Sequence, residues 1–237
     1  MLELRLMKRL TIFFSVLTFV LFTSFAHAGL EFDSDVQPVL KKQILDDFSF
    51  IQSIKASNAS PMHQKVFGDV DGANYFSWFS KRVFSVGLDD CGSASAVACV
   101  IVSVPNKIWM TPNYTKFDHP QIARLSVVYH EARHTEEENG NWSHATCPTP
   151  FKDAHGSNMQ SIWTGALLEG KPACDITAYG SYGSATIFLK NIGKYCTNCG
   201  EKVMADADLY GNDQLGRVID PASKKNMLAD FGMKAMK

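Results

Sequence analysis

Two histidines four residues apart, with a glutamate beside the first, stand at His130-Glu131-Ala132-Arg133-His134. On a helix, residues four apart lie one above the other on one face, so both imidazoles can reach a single ion at about 2.0–2.1 Å. An ion held there brings the pKa of a water to about 7, and a carboxylate next to the first ligand can take that water's proton. The spacing therefore suits metal-assisted hydrolysis, with His130 and His134 as ligands and Glu131 as general base. The bland alternative is a pair of surface histidines on an acidic helix, because Glu136, Glu137 and Glu138 follow directly.

The motif needs a helix to display it, and the flanking residues supply one. Asp118 is a good N-cap, Gln121 stands three residues on, and Pro120 fits the first turn. Ile122, Leu125, Val128 and Ala132 form an apolar stripe, and the helix is expected to run to about Glu137 before Asn139-Gly140-Asn141 stops it. Upstream, residues 30–60 read as an amphipathic helix from the spacing of Val36, Val39, Leu40, Ile44, Phe48 and Ile51, with Pro38 near its start. Gly68 to Gly72 reads as a solvated turn, and Tyr75 to Phe84 as core or an edge strand. Ala96 to Val104 is β-branched and continuous, which predicts a buried strand, with Ile108 to Met110 continuing the sheet after Pro105. Thr146 to Ser157 is loop-like. Two or three helices are expected over 158–237, from Ile162, Leu167 and Leu168, then Ile187, Phe188 and Ile192, then Val203, Ala207 and Leu209. The fold class is α+β: a small sheet packed on the motif helix, followed by a mainly helical C-terminal half.

Residues 1–28 read as a signal peptide. Lys8 and Arg9 precede an apolar run from Leu10 to Phe25, and Ala26-His27-Ala28 is a small-x-small cleavage site. Residues 29–237 would then be one exported domain, periplasmic or secreted, with no membrane span once the leader is removed. Six cysteines in an exported chain read as disulfides, and their spacing suggests Cys91–Cys99, Cys147–Cys174 and Cys196–Cys199 among the possible connectivities. The formal net charge is −1, with no basic stripe, which argues against a nucleic-acid partner. No G-x-S-x-G is present to suggest a serine hydrolase.

The motif resembles that of the zincin metallopeptidases, strongly over Val127 to His134 and loosely over 96–180. Arg133 and Glu136 depart from it, since those enzymes prefer an uncharged and an apolar residue there. The resemblance implies a zincin-like fold, a Zn²⁺ cofactor, and a protein, peptide or peptidoglycan-peptide substrate. A catalytic zinc usually takes a third protein ligand and leaves one position open. The aspzincins place theirs about ten residues after the second histidine, beyond a glycine turn; here Gly140 is followed by His144, the first candidate. Glu169 is the alternative in the gluzincin manner, and Asp175 and His155 are others. Aspzincins also carry an Asp before a Tyr-Gly pair, which Asp175 and Tyr179-Gly180 resemble at a longer spacing. A Cys147–Cys174 bridge would tie this segment to the loop after His144. Asp175 could then orient a ligand histidine, and Tyr179 could donate to the developing oxyanion. The competing expectation is a non-catalytic exported protein, either metal-binding or a disulfide-stapled interaction domain.

Overall fold

A computed structural model describes residues 29–116, 118–136 and 143–232, so the expected leader over 1–28 lies outside the described residues. The first long helix, α1 (Pro38–Ser53), begins at a proline whose fixed φ suits a first turn. It buries Leu40, Ile44, Phe48 and Ile51, the spacing read from the sequence, while Val39 faces solvent. Two shorter helices follow. In α2 (Pro61–Phe67), Ser60 caps the N-terminus by accepting from the His63 amide. In α3 (Gly72–Ser80), the Asp71 carboxylate accepts from the amides of Ala73 and Asn74.

The helix α3 corrects the expectation of core or an edge strand over 75–84. Tyr75, Trp78 and Phe79 sit at helical spacing and are all buried, so the aromatic residues that favour a strand serve one helical face instead. The helix starts hard against α1: a Cβ on Gly72 would lie 2.1 Å from the Gln52 carbonyl oxygen. Near it, His63 is fully buried, 2.8 Å from the Gly68 carbonyl through Nδ1 and 2.6 Å from the Tyr75 hydroxyl through Nε2. Burial pushes its pKa down to about 4.

The main sheet has the order β1 (Glu31–Phe32), β2 (Ser85–Leu88), β4 (Val104–Met110) and β3 (Ala98–Ile101). The first three are parallel, and β3 runs antiparallel to β4 at the edge. The single buried strand expected over 96–104 is thus a hairpin whose first arm is only half-buried. Pro105 does not break β4, because it lies beyond the residues that pair with β2 and next to a register shift at Val100 and Ile101.

After the short α4 (Pro112–Lys116) comes the motif helix, α5 (Gln121–His134). Its N-cap is Pro120 with no side-chain cap, so Asp118 does not fill the role expected of it, and the helix ends at His134 rather than near 137. Eleven of its fourteen residues are buried, which makes it the spine of the main core. It packs on β3 and β4 on one side and on α1, α6 (Ser181–Tyr195) and α7 (Glu201–Gly216) elsewhere. Arg124 forks onto Asp47 of α1 at 2.7 and 2.8 Å. Tyr129 stacks between Trp78 and Phe188, with ring centroids 5.7 and 4.6 Å away. That aromatic clamp fixes the helix's rotation, and His130 and His134 share another face of it.

The C-terminal half is largely helical as expected, through α6, α7 and α8 (Pro221–Asp230). Ile187, Phe188, Ile192 and Ala207 enter the main core, whereas Leu209 is exposed. No helix forms around Ile162, Leu167 and Leu168, where the chain is irregular. A two-stranded ribbon, β5 (Ala145–Thr146) against β6 (Pro172–Cys174), closes that segment. It has its own small core of Cys147, Phe151, Leu168 and Cys174. The disulfides are Cys91–Cys99, Cys147–Cys174 and Cys196–Cys199, and three of them suit an oxidising environment. No described helix is long and apolar enough to cross a membrane.

Candidate metal centre

The three ring nitrogens of His130, His134 and His144 converge. Their Nε2 atoms are 3.2 Å apart for His130 and His144, 3.2 Å for His134 and His130, and 3.1 Å for His134 and His144. Three ligands placed tetrahedrally about one ion at 2.0–2.1 Å would be about 3.3 Å apart. The triangle therefore matches a first coordination shell. Among the described residues, this is the group of histidine, cysteine and acidic side chains whose ligand atoms are close enough to hold an ion.

Two of these histidines arrive on α5 and the third on the ribbon. His144 immediately precedes β5, and Asp175 immediately follows β6, where Ala145 pairs with Cys174. The His144 Nδ1–H donates to Asp175 Oδ1 at 3.1 Å, so a neutral His144 keeps its Nε2 lone pair for an ion. Asp175 is itself held from the other side: its Oδ2 accepts from the amides of Tyr182 at 2.7 Å and Gly183 at 3.2 Å, at the start of α6. This close approach requires Gly180, whose Cβ would lie 2.3 Å from Asp175 Oδ2. Backbone bonds from Asp175 to Arg217 and from Ile219 to Asp175 then bind the segment to the chain after α7.

His130 and His134 are buried, which disposes of the surface-pair alternative, and His144 is half-buried. Burial holds the His130 pKa well below its ordinary value, helped by His134, His144 and Arg217, so the ring is neutral and ready to ligate. Glu131 lies in the same cavity, and burial pushes its carboxyl up to about 8. A divalent cation on the histidines would favour the carboxylate and bring it back down. The cavity, of about 330 Å³, opens beside all four side chains and is walled by Tyr182, Trp163 and Arg217 among others.

The charged residues that break the motif's usual pattern have a structural place. Arg133 pairs with Glu136, which also pairs with Arg82 beyond α3, and the Arg133 Nε–H donates to the Tyr179 carbonyl at 3.0 Å. Arg133 and Glu136 are both buried. Together they tie the end of α5 to the turn after α3 and to the turn before α6.

Other expected residues fall elsewhere. The Tyr179 ring lies under the Lys65 ammonium, 4.2 Å from it, and is not among the residues that line the cavity. Neither Glu169 nor Asp175 joins the ligand cluster, and Asp175 takes the orienting role; His155 sits in an exposed turn. The turn expected at Asn139-Gly140 lies outside the described residues. Two residues were missed. Tyr182 stacks on His144 at 4.5 Å and meets His130 edge-on at 4.4 Å, and its hydroxyl accepts from Arg217 Nη1 at 3.1 Å. Arg217 in turn pairs with Asp213. Tyr182-Gly183 repeats the Tyr-Gly signal three residues after the first, so it was visible; Arg217 had no local signal. Comparison with protein-family models, curated proteins and solved structures finds no match.

Proposed function

We propose that this chain is an exported zinc metallopeptidase, hydrolysing peptide or amide bonds in proteins, peptides or peptidoglycan peptides. The observation that carries the reading is the triangle of three histidine nitrogens with Glu131 in one cavity. Three protein ligands, with no fourth in the cluster among the described residues, suit a catalytic rather than a purely structural zinc.

When bound, zinc would supply a Lewis acid and an acidified water at this position. Asp175 keeps His144 in the tautomer that ligates. Glu131 takes the attacking water's proton on its carboxylate and passes it to the departing amine nitrogen. Tyr182 replaces Tyr179 as donor: its oxygen accepts from Arg217, leaving its own hydrogen for the carbonyl oxygen as negative charge develops there. Residues of β3 and Trp163 wall the cavity in which the substrate would lie.

The test is zinc content and hydrolysis of a fluorogenic peptide library by wild type and Glu131→Gln. One zinc per chain should survive in both, with hydrolysis reduced by roughly 10²–10⁴-fold in the variant. Absence of zinc from both proteins, or undiminished hydrolysis by the variant, would refute the proposal.

A further inference from the structure

The two parts of the metal centre are held by different means. His130 and His134 belong to a helix embedded in the main core. His144 and its orienting Asp175 sit at the open ends of a ribbon whose strands have two and three residues. A pair of strands this short has no stability of its own. What joins them is a few backbone bonds, such as Cys147 N–H to the Lys171 carbonyl at 2.8 Å, and the Cys147–Cys174 disulfide. That disulfide is also half of the ribbon's four-residue core. It lies three residues after His144 and one before Asp175; Asp175 is also held by the Tyr182 and Gly183 amides and by backbone bonds to Arg217 and Ile219, whereas the His144 end of the ribbon has the disulfide as its covalent tie.

We propose, building on the zinc-site reading, that Cys147 and Cys174 are positioning residues that make the third coordination position conditional on oxidation. With the bond closed, Ala145 is held opposite Cys174, and the His144 ring meets Asp175 over the helical pair. With it open, the chain offers a two-histidine site of much lower affinity. Closing it converts two thiols to one disulfide, releasing two electrons and two protons to an external disulfide that leaves as two thiols by exchange. Both cysteines are almost fully buried in the finished fold, at 1% and 0% exposure, so the exchange belongs to a stage before the ribbon packs. The metal centre is then completed only in an oxidising compartment.

The test measures zinc affinity by competition with a chromophoric chelator, on oxidised wild type, Cys147→Ala/Cys174→Ala, His144→Ala and the combined variant. The disulfide-free chain should lose roughly 10–100-fold in affinity, as expected for loss of ligand orientation. The combined variant should lose no more than His144→Ala alone, because the disulfide acts through that ligand. Cys196→Ala/Cys199→Ala should leave the affinity unchanged. Should the disulfide-free chain fail to fold by circular dichroism, stepwise reduction of wild type with a phosphine replaces it, with the freed thiols alkylated and located by mass spectrometry. Zinc release should then track Cys147 and Cys174, not Cys91 and Cys99. Wild-type affinity without the disulfide, losses that add in the combined variant, or zinc release unrelated to those thiols overturns the inference alone. No zinc in oxidised wild type overturns the metal reading as well.

Discussion

Replacing Asp175 by Asn tests the link between orientation and coordination with the smallest change in shape. The carboxylate serves two sets of donors with two oxygens: Oδ1 faces His144, and Oδ2 faces the Tyr182 and Gly183 amides. An asparagine has one oxygen. The amides are fixed by α6, so the oxygen stays with them and the NH₂ group turns toward His144 Nδ1. Two donors cannot face each other there, and His144 responds by moving its proton to Nε2 or by rotating away. Either response removes the third lone pair from the triangle. Loss of such an outer partner costs 10–100-fold in metal affinity, or about 1.4–2.8 kcal/mol. The apo fold keeps its helix contacts, so its stability should change by less than about 1 kcal/mol. Chelator competition at pH 7 reads the first quantity and thermal unfolding of the metal-free protein reads the second. Wild-type zinc affinity in Asp175→Asn would falsify the tautomer argument.

Gly180→Ala should displace Asp175 by contact and weaken zinc binding to a similar degree. Gly200→Ala, where an added Cβ meets nothing within 4 Å, should leave zinc affinity unchanged in the same titration. Removing Glu136 leaves Arg133 and Arg82 without their shared carboxylate; Glu136→Ala should cost about 3 kcal/mol and lower the Tm by about 6–12 °C in a calorimetric scan. His63 makes stability depend on pH. Its pKa is lower folded, at about 4, than unfolded, so between these values the unfolded chain binds the extra proton and stability falls as pH falls from about 6.5 to 4. The loss is about 3 kcal/mol in all. Urea unfolding across that range should show a steeper slope for wild type than for His63→Gln, and equal slopes would discard the assignment.

The parts of the molecule that were legible are those governed by local spacing. The stripe of α1, the stripe of α5 and the five-residue motif could be read directly, because helical geometry alone puts those residues on shared faces. His144 and Asp175 were reached through the resemblance, one by a ten-residue spacing and the other as an Asp before a Tyr-Gly pair, with the Cys147–Cys174 pairing to bring the two together. What escaped depended on choices made at a distance. Tyr75, Trp78 and Phe79 combine helical spacing with strand propensity, and the Asp71 cap decides for the helix. Tyr179 and Tyr182 carry the same Tyr-Gly signal, and only the point where α6 starts decides which one meets the histidines. Leu167 and Leu168 resemble a helical stripe but line the cavity from an irregular segment. Arg217 reaches Tyr182 from 35 residues away, a contact that tertiary packing alone creates.

The division between embedded helix and stapled ribbon also bears on how such a site can be altered. A substitution on α5 disturbs the spine of the main core and the ligand pair together, so few are tolerated there. The ribbon segment from 143 to 175 has a small core of its own, and it carries the third histidine of the cluster, the carboxylate bonded to it and part of the cavity wall. Exchanging this one contiguous stretch would change the third histidine position and the cavity shape together, provided that Trp163, which packs in the main core against His119 and Tyr114, keeps its place. The molecule thus divides the work of the histidine cluster between a helix fixed by the main core and a stapled segment anchored to that core through Trp163.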